Sequence, residues 1–541
     1  MTRPDLKAAL LALREYALQQ GVKAHLSLHR EDSHLVRLAN GNVSLNTTEH
    51  ITSLEVTAFD GPRSATSQRI LDLSDTQALK ATVDQAQAML AHASPLSYTP
   101  TFPVIEKDSH HSARYDEALA YLSNEDILAY IQQSVSGLED GDVTLGGSFS
   151  VGSTEEITLS TATPHAVSHR FSDAQVTLVL ASEQDKWEIN AEQSAEVLSD
   201  LKPQAMHARL AYLKDKYTTC SAVRLPLGPQ RVVFGPAAIA EYLGFLTRFG
   251  LSGWFMKQGR GIHKARDVGK QVLSPLVTVT EGPDNQGAFP LPTDRYGRAR
   301  QQQAWYDAGV LTGFQYDQDT ADEFGEQPTG HDLGPSFALL PGDRPHTDMA
   351  DLQTLAREEG DLLYVPYLHY TGVVSATQGL ITGTSRFGAL LFKQDGSIQV
   401  PYNVRFTEKL ADIFGTKLQW LSRGQSVYNL SDTYGQRNPR ALLVPSLMCC
   451  DGVKVEISNS AFYMCAAGQT DDPEGKILFK ALGKVEAEHA SIWRKILKLG
   501  SVPAGSDACH TENVANLKES HARETRAIDF YRKAAAEADH P

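Results

Sequence analysis

Leu6, Leu10, Leu13 and Ala17 recur at the three- and four-residue spacing of a helix face, with Asp5 ahead and Gly21 behind as caps. This start reads as an amphipathic helix and not as a secretion signal. The period then drops to two. HLVRLA and NVSLNT alternate apolar and polar residues around Asn40-Gly41, a dipeptide suited to the two left-handed positions of a hairpin turn. SLEVTAFDGPRSATSQ continues the alternation and bends at Asp60-Gly61, and Ser74 opens a second helix through DTQALKATVDQAQAMLAHA. Residues 95–113, rich in Pro, Ser and His, read as an extended connector. A helix at SNEDILAYIQQSVSGL and strand-like runs at EEITLSTA, HAVSHRFS and AQVTLVLAS complete an α+β domain with antiparallel sheet over residues 1–222.

A second unit, 223–452, starts with a strand at 231–234 and an apolar helix behind Pro236, then turns dense in Gly and short strands such as ALLFKQDGSIQVP, with Asp395-Gly396 at its hairpin. From 453 to 541 the pattern is helical again. DDPEGKILFKALGKVEAEHASIWRKILKLG carries Asp472 as N-cap, Pro473 at the first helical position and Gly500 as its stop. Val514, Leu517, His521, Glu524, Ile528, Tyr531, Ala535 and Ala538 form the unbroken seam of a bundle helix. No uninterrupted apolar run reaches the length of a membrane span, so no membrane partner is expected.

Composition narrows the function. A net charge of −15 without a basic run argues against direct nucleic-acid binding. Five cysteines, two of them adjacent, read as reduced thiols of a cytoplasmic protein.

The tail carries an internal echo. FYMCAAGQTDDP at 462–473 returns as FYRKAAAEADHP at 530–541, and the same offset carries Glu456 onto Glu524. Glu486 and His489, spaced i and i+3, share a helix face. Glu-x-x-His is the spacing by which a four-helix bundle offers a bridging carboxylate and an imidazole to two iron ions, with single glutamates from the other helices. The segments VEISNSAFYMCAAGQTDDPEGKILFKALGKVEAEHASIW and NLKESHARETRAIDFYRKAAAEADHP resemble the rubrerythrin branch of ferritin-like proteins. The resemblance implies three of four helices and a metal set of Glu456, Glu486, His489 and Glu524. A second Glu-x-x-His helix would begin at Pro541, so a complete di-iron site would be shared between chains. Alternatively the tail is an assembly device without metal.

The first 450 residues resemble the TldD/PmbA family through LANGNVSLN, DGPRSATSQRILDLSDTQALKATVDQAQAML, GPQRVVFGPAAIAEYL, the Gly-rich stretch SPLVTV to DEFG, and GLITGTSRFGALLFKQDGSIQVP. The family is known as a metallopeptidase pair and as a modulator of DNA gyrase. Its catalytic subunits place His-Glu-x-x-x-His on the helix after the VVFGP-like strand, with a distant Cys as a further ligand. Here that helix reads AAIAEYLGFLTRFG, with Glu241 as its one carboxylate and no His, and Tyr434 stands where the Cys is expected. The resemblance therefore implies no catalytic residue and no zinc in the body, and points to the metal-free TldE/PmbA-like subunit. Such a subunit would pair with a TldD-like zinc peptidase, or form a homodimer, and act on a peptide substrate. The second reading is a di-iron protein assembled through tail dimerisation.

Other motifs have plainer readings. His25-x-x-x-His29 and His165-x-x-x-His169 have metal-like spacing but sit in alternating strands, where a solvated face is expected. Asp294, Tyr296, Asp307, Thr329 and Gly330 fall in family-like segments and read equally as turn chemistry or peptide contacts.

Overall fold

The computed structural model describes residues 5–456 apart from 113, 295, 331–335 and 431–435. Helix Leu6–Gln19 is capped by the Asp5 carboxylate and buries Leu6, Leu10, Leu13 and Ala17, the face that the periodicity marks. Strands Ala24–Ala39 and Asn42–Asp60 form one long hairpin. Its turn places Asn40 at φ 51° and Gly41 at φ 71°, which an Asn-Gly pair accepts with little strain. Arg63–Ile70 adds to one edge, while Val143–Ser160 and Ala166–Ser182 extend the sheet on the other side. The short strand Ser109–His111, inside the expected connector, and Trp187–Ala195 both pair with Ala166–Ser182.

Strands of up to 19 residues reach about 60 Å at ~3.3 Å per residue. One face is therefore long enough for two helix pairs. Near one end Leu26, Leu28, Leu54 and Val56 pack with helices Leu6–Gln19 and Thr76–Leu90. Near the other end Val36, Phe149, Val176 and Leu178 pack with Asn124–Val135 and Pro203–Thr219. That second cluster also takes in Val233, Tyr364, Leu390, Phe392 and Trp420, so a single core crosses from the first sheet into the second half of the chain.

The second half has two sheets. Nine strands run from Tyr367–Ser375 at one edge to Ala222–Val223 at the other, with Leu418–Leu421 pairing off this path to Met448–Glu456, and six strands run from Val310–Leu311 to Gln425–Asn429. Most pairs are antiparallel, but Gly228–Phe234 runs parallel to Leu362–Val365 and Phe337–Leu339 parallel to Ala441–Pro445. Helix Pro236–Leu251 packs against strands of both sheets and is apolar on nearly every side, the signature of a fully internal helix. No described helix is long and apolar enough to cross a membrane.

Several expectations need correction. The helix after Ser74 is capped by Asp75 and spans Thr76–Leu90. HAVSHRFS and AQVTLVLAS are one strand, Ala166–Ser182, and Asp173 between them is taken into the sheet and paired with Arg437. The last described strand, Met448–Glu456, runs past the expected boundary at 453. Val453 and Val455 alternate into the core, and Arg405 pairs with Glu456, so this segment follows strand periodicity and not helix periodicity.

Arg437 fastens the two halves. It is 2% exposed and grips both carboxylate oxygens of Asp173 at 2.6 and 2.8 Å, while Nη1 donates to Ser150 at 2.8 Å. Its backbone N–H donates to Glu31, itself buried. Arg437→Ala leaves the buried Asp173 carboxylate without its guanidinium donor, while Glu31 keeps the backbone N–H, and is expected to cost about 3–5 kcal/mol in denaturant unfolding. The double variant Arg437→Ala/Asp173→Ala is expected to lose less than the two single losses combined.

Candidate functional site

Strand Trp187–Ala195 carries its polar residues on alternate positions, so Glu188, Glu192 and, just beyond the strand, Glu196 line one face. The opposite face holds Trp187, Ile189 and Ala191 in the core. This row of carboxylates meets the second half of the chain. At one end Arg386 forks onto Glu188 at 2.6 and 3.1 Å, and its Nη1 donates to His369 Nδ1 at 3.1 Å. Burial and the adjacent Arg386 hold the His369 pKa down, consistent with a neutral acceptor ring. At the other end Glu196 accepts the Phe289 N–H at 3.0 Å and pairs with Arg114. Phe289 holds φ 52°, a costly conformation for a bulky residue, beside a cavity of about 370 Å³ lined by Ser194, Glu196, Gly287 and Phe289.

The middle carboxylate, Glu192, faces Glu241 of the internal helix. Burial pushes Glu192 up to about 7, with Arg209 drawing it down and Glu241 raising it further. Burial likewise raises Glu241, against a 2.9 Å hydrogen bond from the Thr371 hydroxyl. Tyr367 and Tyr428 hydrogen-bond to each other and feel both glutamates, and burial keeps each phenol protonated. The grouping can hold a proton at neutral pH and can accept a cationic or amine group. Among the described residues no three His, Cys, Asp or Glu side chains are arranged to hold a metal ion.

The residues singled out in the sequence are dispersed. Glu456 ends a sheet strand and accepts from the Thr407 hydroxyl at 3.0 Å, so it is not on the helix expected of a bundle ligand. Glu486, His489, Glu524 and Tyr434 lie outside the described residues. Asp294 accepts the N–H groups of Tyr296 and Arg298 at 2.9 Å each, which is turn chemistry, and Thr329 bonds the Tyr316 backbone. Gly330 supplies φ 73° and Asp307 closes a tight turn onto Val310. His25, His29 and His169 are buried, contrary to the solvated face expected, whereas His165 sits at the surface 3.8 Å from Asp108. Glu192, Tyr367 and Tyr428 escaped the sequence reading; the four-residue spacing of Glu188, Glu192 and Glu196 on a strand was the available signal.

An acid whose folded pKa lies above its unfolded value binds more protons when folded. The Glu192 carboxyl therefore costs the fold stability as pH rises from about 4.5 to about 7. Glu192→Gln is expected to melt above the unmodified protein at about pH 8 and level with it below about pH 4.5, as checked by melting temperature against pH. Equal melting temperatures at both pH values would contradict this assignment.

Comparison with known proteins places these features in a family context. Residues 228–456 match the model of the PmbA/TldA metallopeptidase C-terminal domain. No curated protein gives a match. Among solved structures, TldE from Thermococcus kodakarensis is similar at 15% identity and a TM-score of 0.68, covering 83% of this chain and 100% of that one. A candidate modulator of a DNA gyrase from Thermotoga maritima follows at 15% identity and 0.66, with the same coverages. One from Bacteroides thetaiotaomicron, also described as a candidate modulator of DNA gyrase, matches at 15% and 0.65 over 85% of this chain and 100% of that one. The chain thus carries a PmbA/TldA-type C-terminal domain within a body that has the TldE fold.

Proposed function

We propose that this chain is a non-catalytic TldE/PmbA-like subunit that pairs with a TldD-like zinc peptidase and helps to enclose a peptide substrate. The observation that carries the reading is the internal helix. Strand Gly228–Phe234 leads through Gly235 and Pro236 into Pro236–Leu251, the strand-to-helix junction after which the family's catalytic subunits carry their zinc motif. In this chain the helix has no imidazole, and Ala237, Ala238, Ile239, Leu243 and Leu246 fill its surroundings with apolar contacts. A zinc-bound water cannot be generated by such a surface. The cavity at the Glu196 end of the acidic seam, lined by Ser194, Glu196, Gly287 and Phe289, suits this role as a place for contact with a chain segment. In this reading a connection with DNA gyrase runs through a protein or peptide, since the net charge of −15 disfavours DNA.

Co-expression with a TldD-like zinc subunit is expected to give a complex that co-purifies and cleaves unfolded peptides, while either chain alone does not. Peptide cleavage by this chain alone in the presence of Zn²⁺ would overturn the proposal, as would failure of the two chains to associate.

A further inference from the structure

One cluster of titratable groups lies apart from the Glu192–Glu241 grouping and adjoins the interdomain clasp through Glu31. On the face of the N-terminal sheet turned toward the second half, four side chains occupy one transverse row on four neighbouring strands. Glu156 is the direct partner of both His29 and His169, and His169 is the partner of His111. Adjacent strands are about 4.8 Å apart, so neighbours in this row are within reach of a common ligand.

Their hydrogen bonds are complete at His29 and incomplete at His169 and His111. His29 is fully engaged, with Nδ1 on Glu156 at 3.2 Å and Nε2 on Glu31 at 3.3 Å, and these bonds outweigh burial and lift its pKa to about 9. His169 is 7% exposed, and its Nε2 meets the Thr293 hydroxyl at 3.3 Å, but Nδ1 is buried without a partner. His111 stacks on it with ring centroids 5.4 Å apart, and its Nε2 is likewise buried and unpartnered. Burial holds both rings in the neutral form, His169 at about 4. Two neutral imidazoles, each with a spare nitrogen and close to a carboxylate, can offer lone pairs to an electron-pair acceptor.

We infer that Glu156, His169 and His111 form the seat of a divalent first-row transition ion, with His29 and Thr293 orienting the ligands from behind. Two imidazoles and one carboxylate are a donor set for zinc or ferrous iron. The three donors share a row but are not turned to a common point, so binding requires rotation of the Glu156 and His111 side chains. Glu156 has room for it, because its side chain is 40% exposed and opens the row to solvent.

The test uses the full-length protein stripped of metal with a chelator, then titrated with Zn²⁺ by calorimetry and with Co²⁺ by visible absorption. One ion per chain is expected, with a rise in melting temperature on Zn²⁺ addition. His111→Ala, His169→Ala and Glu156→Gln are each expected to weaken binding by about 10-fold or more, and His29→Gln by about 10-fold through lost orientation. The tail variant Glu486→Ala/His489→Ala is expected to keep the ion. His111, on a short strand and only partly buried, gives the variant least exposed to folding failure, and its melting temperature without metal checks that. No uptake by the unmodified protein, or uptake that survives His111→Ala and disappears in the tail variant, would overturn the assignment.

Discussion

The relation between the halves of this protein depends on one guanidinium. Arg437 enters the face of the first sheet from a loop 264 residues further on and satisfies Asp173 with two parallel bonds. A fully buried carboxylate in the middle of a strand is affordable only with such a partner. With Arg437 in place, Ala166–Ser182 can run as one strand, and the sheet can carry Glu31 and His29 on a covered face. The Glu188–Arg386 fork repeats the principle at another point of the seam. Between these clasps the apolar cluster that joins Phe149 and Leu178 to Phe392 and Trp420 makes the halves parts of one core.

The fold was legible where a rule is local. The cap at Asp5, the Asn40-Gly41 hairpin, the bend at Asp60-Gly61 and the helix start at Pro236 all depend on residues within a few positions of one another. Strand continuity through Asp173 was not legible, because its neutralising partner comes from far along the chain. The same cause hid the histidine row. Alternation of Ser, His, Glu and Arg along a strand looks identical whether the polar face meets water or another part of the protein. The mixed sheets were hidden too, since parallel pairings such as Gly228–Phe234 with Leu362–Val365 join segments over a hundred residues apart.

The candidate site follows the same division. Glu241 was visible as the one carboxylate on an apolar helix, and its significance came from what that helix lacks. Its partner Glu192 belongs to a different half, so only the fold could bring the two together. Their elevated pKa values come mainly from burial, with repulsion from Glu241 added in Glu192, and Tyr367 and Tyr428 add neutral hydroxyls beside them. The result is a buried seam in which two neighbouring carboxyls are both held toward their protonated forms.

The span between Asp173 and Arg437 also sets a schedule for synthesis. At roughly 5–20 residues per second, some 13 to 53 s separate the emergence of these two residues from the ribosome. During that interval the long N-terminal strands are complete, but Asp173 and Glu31 have no guanidinium or amide to receive them, and the apolar end of the sheet lacks Phe392 and Trp420. Until the second half is delivered, the part of the sheet face that Phe392 and Trp420 cover in the folded protein has nothing from this chain to cover it.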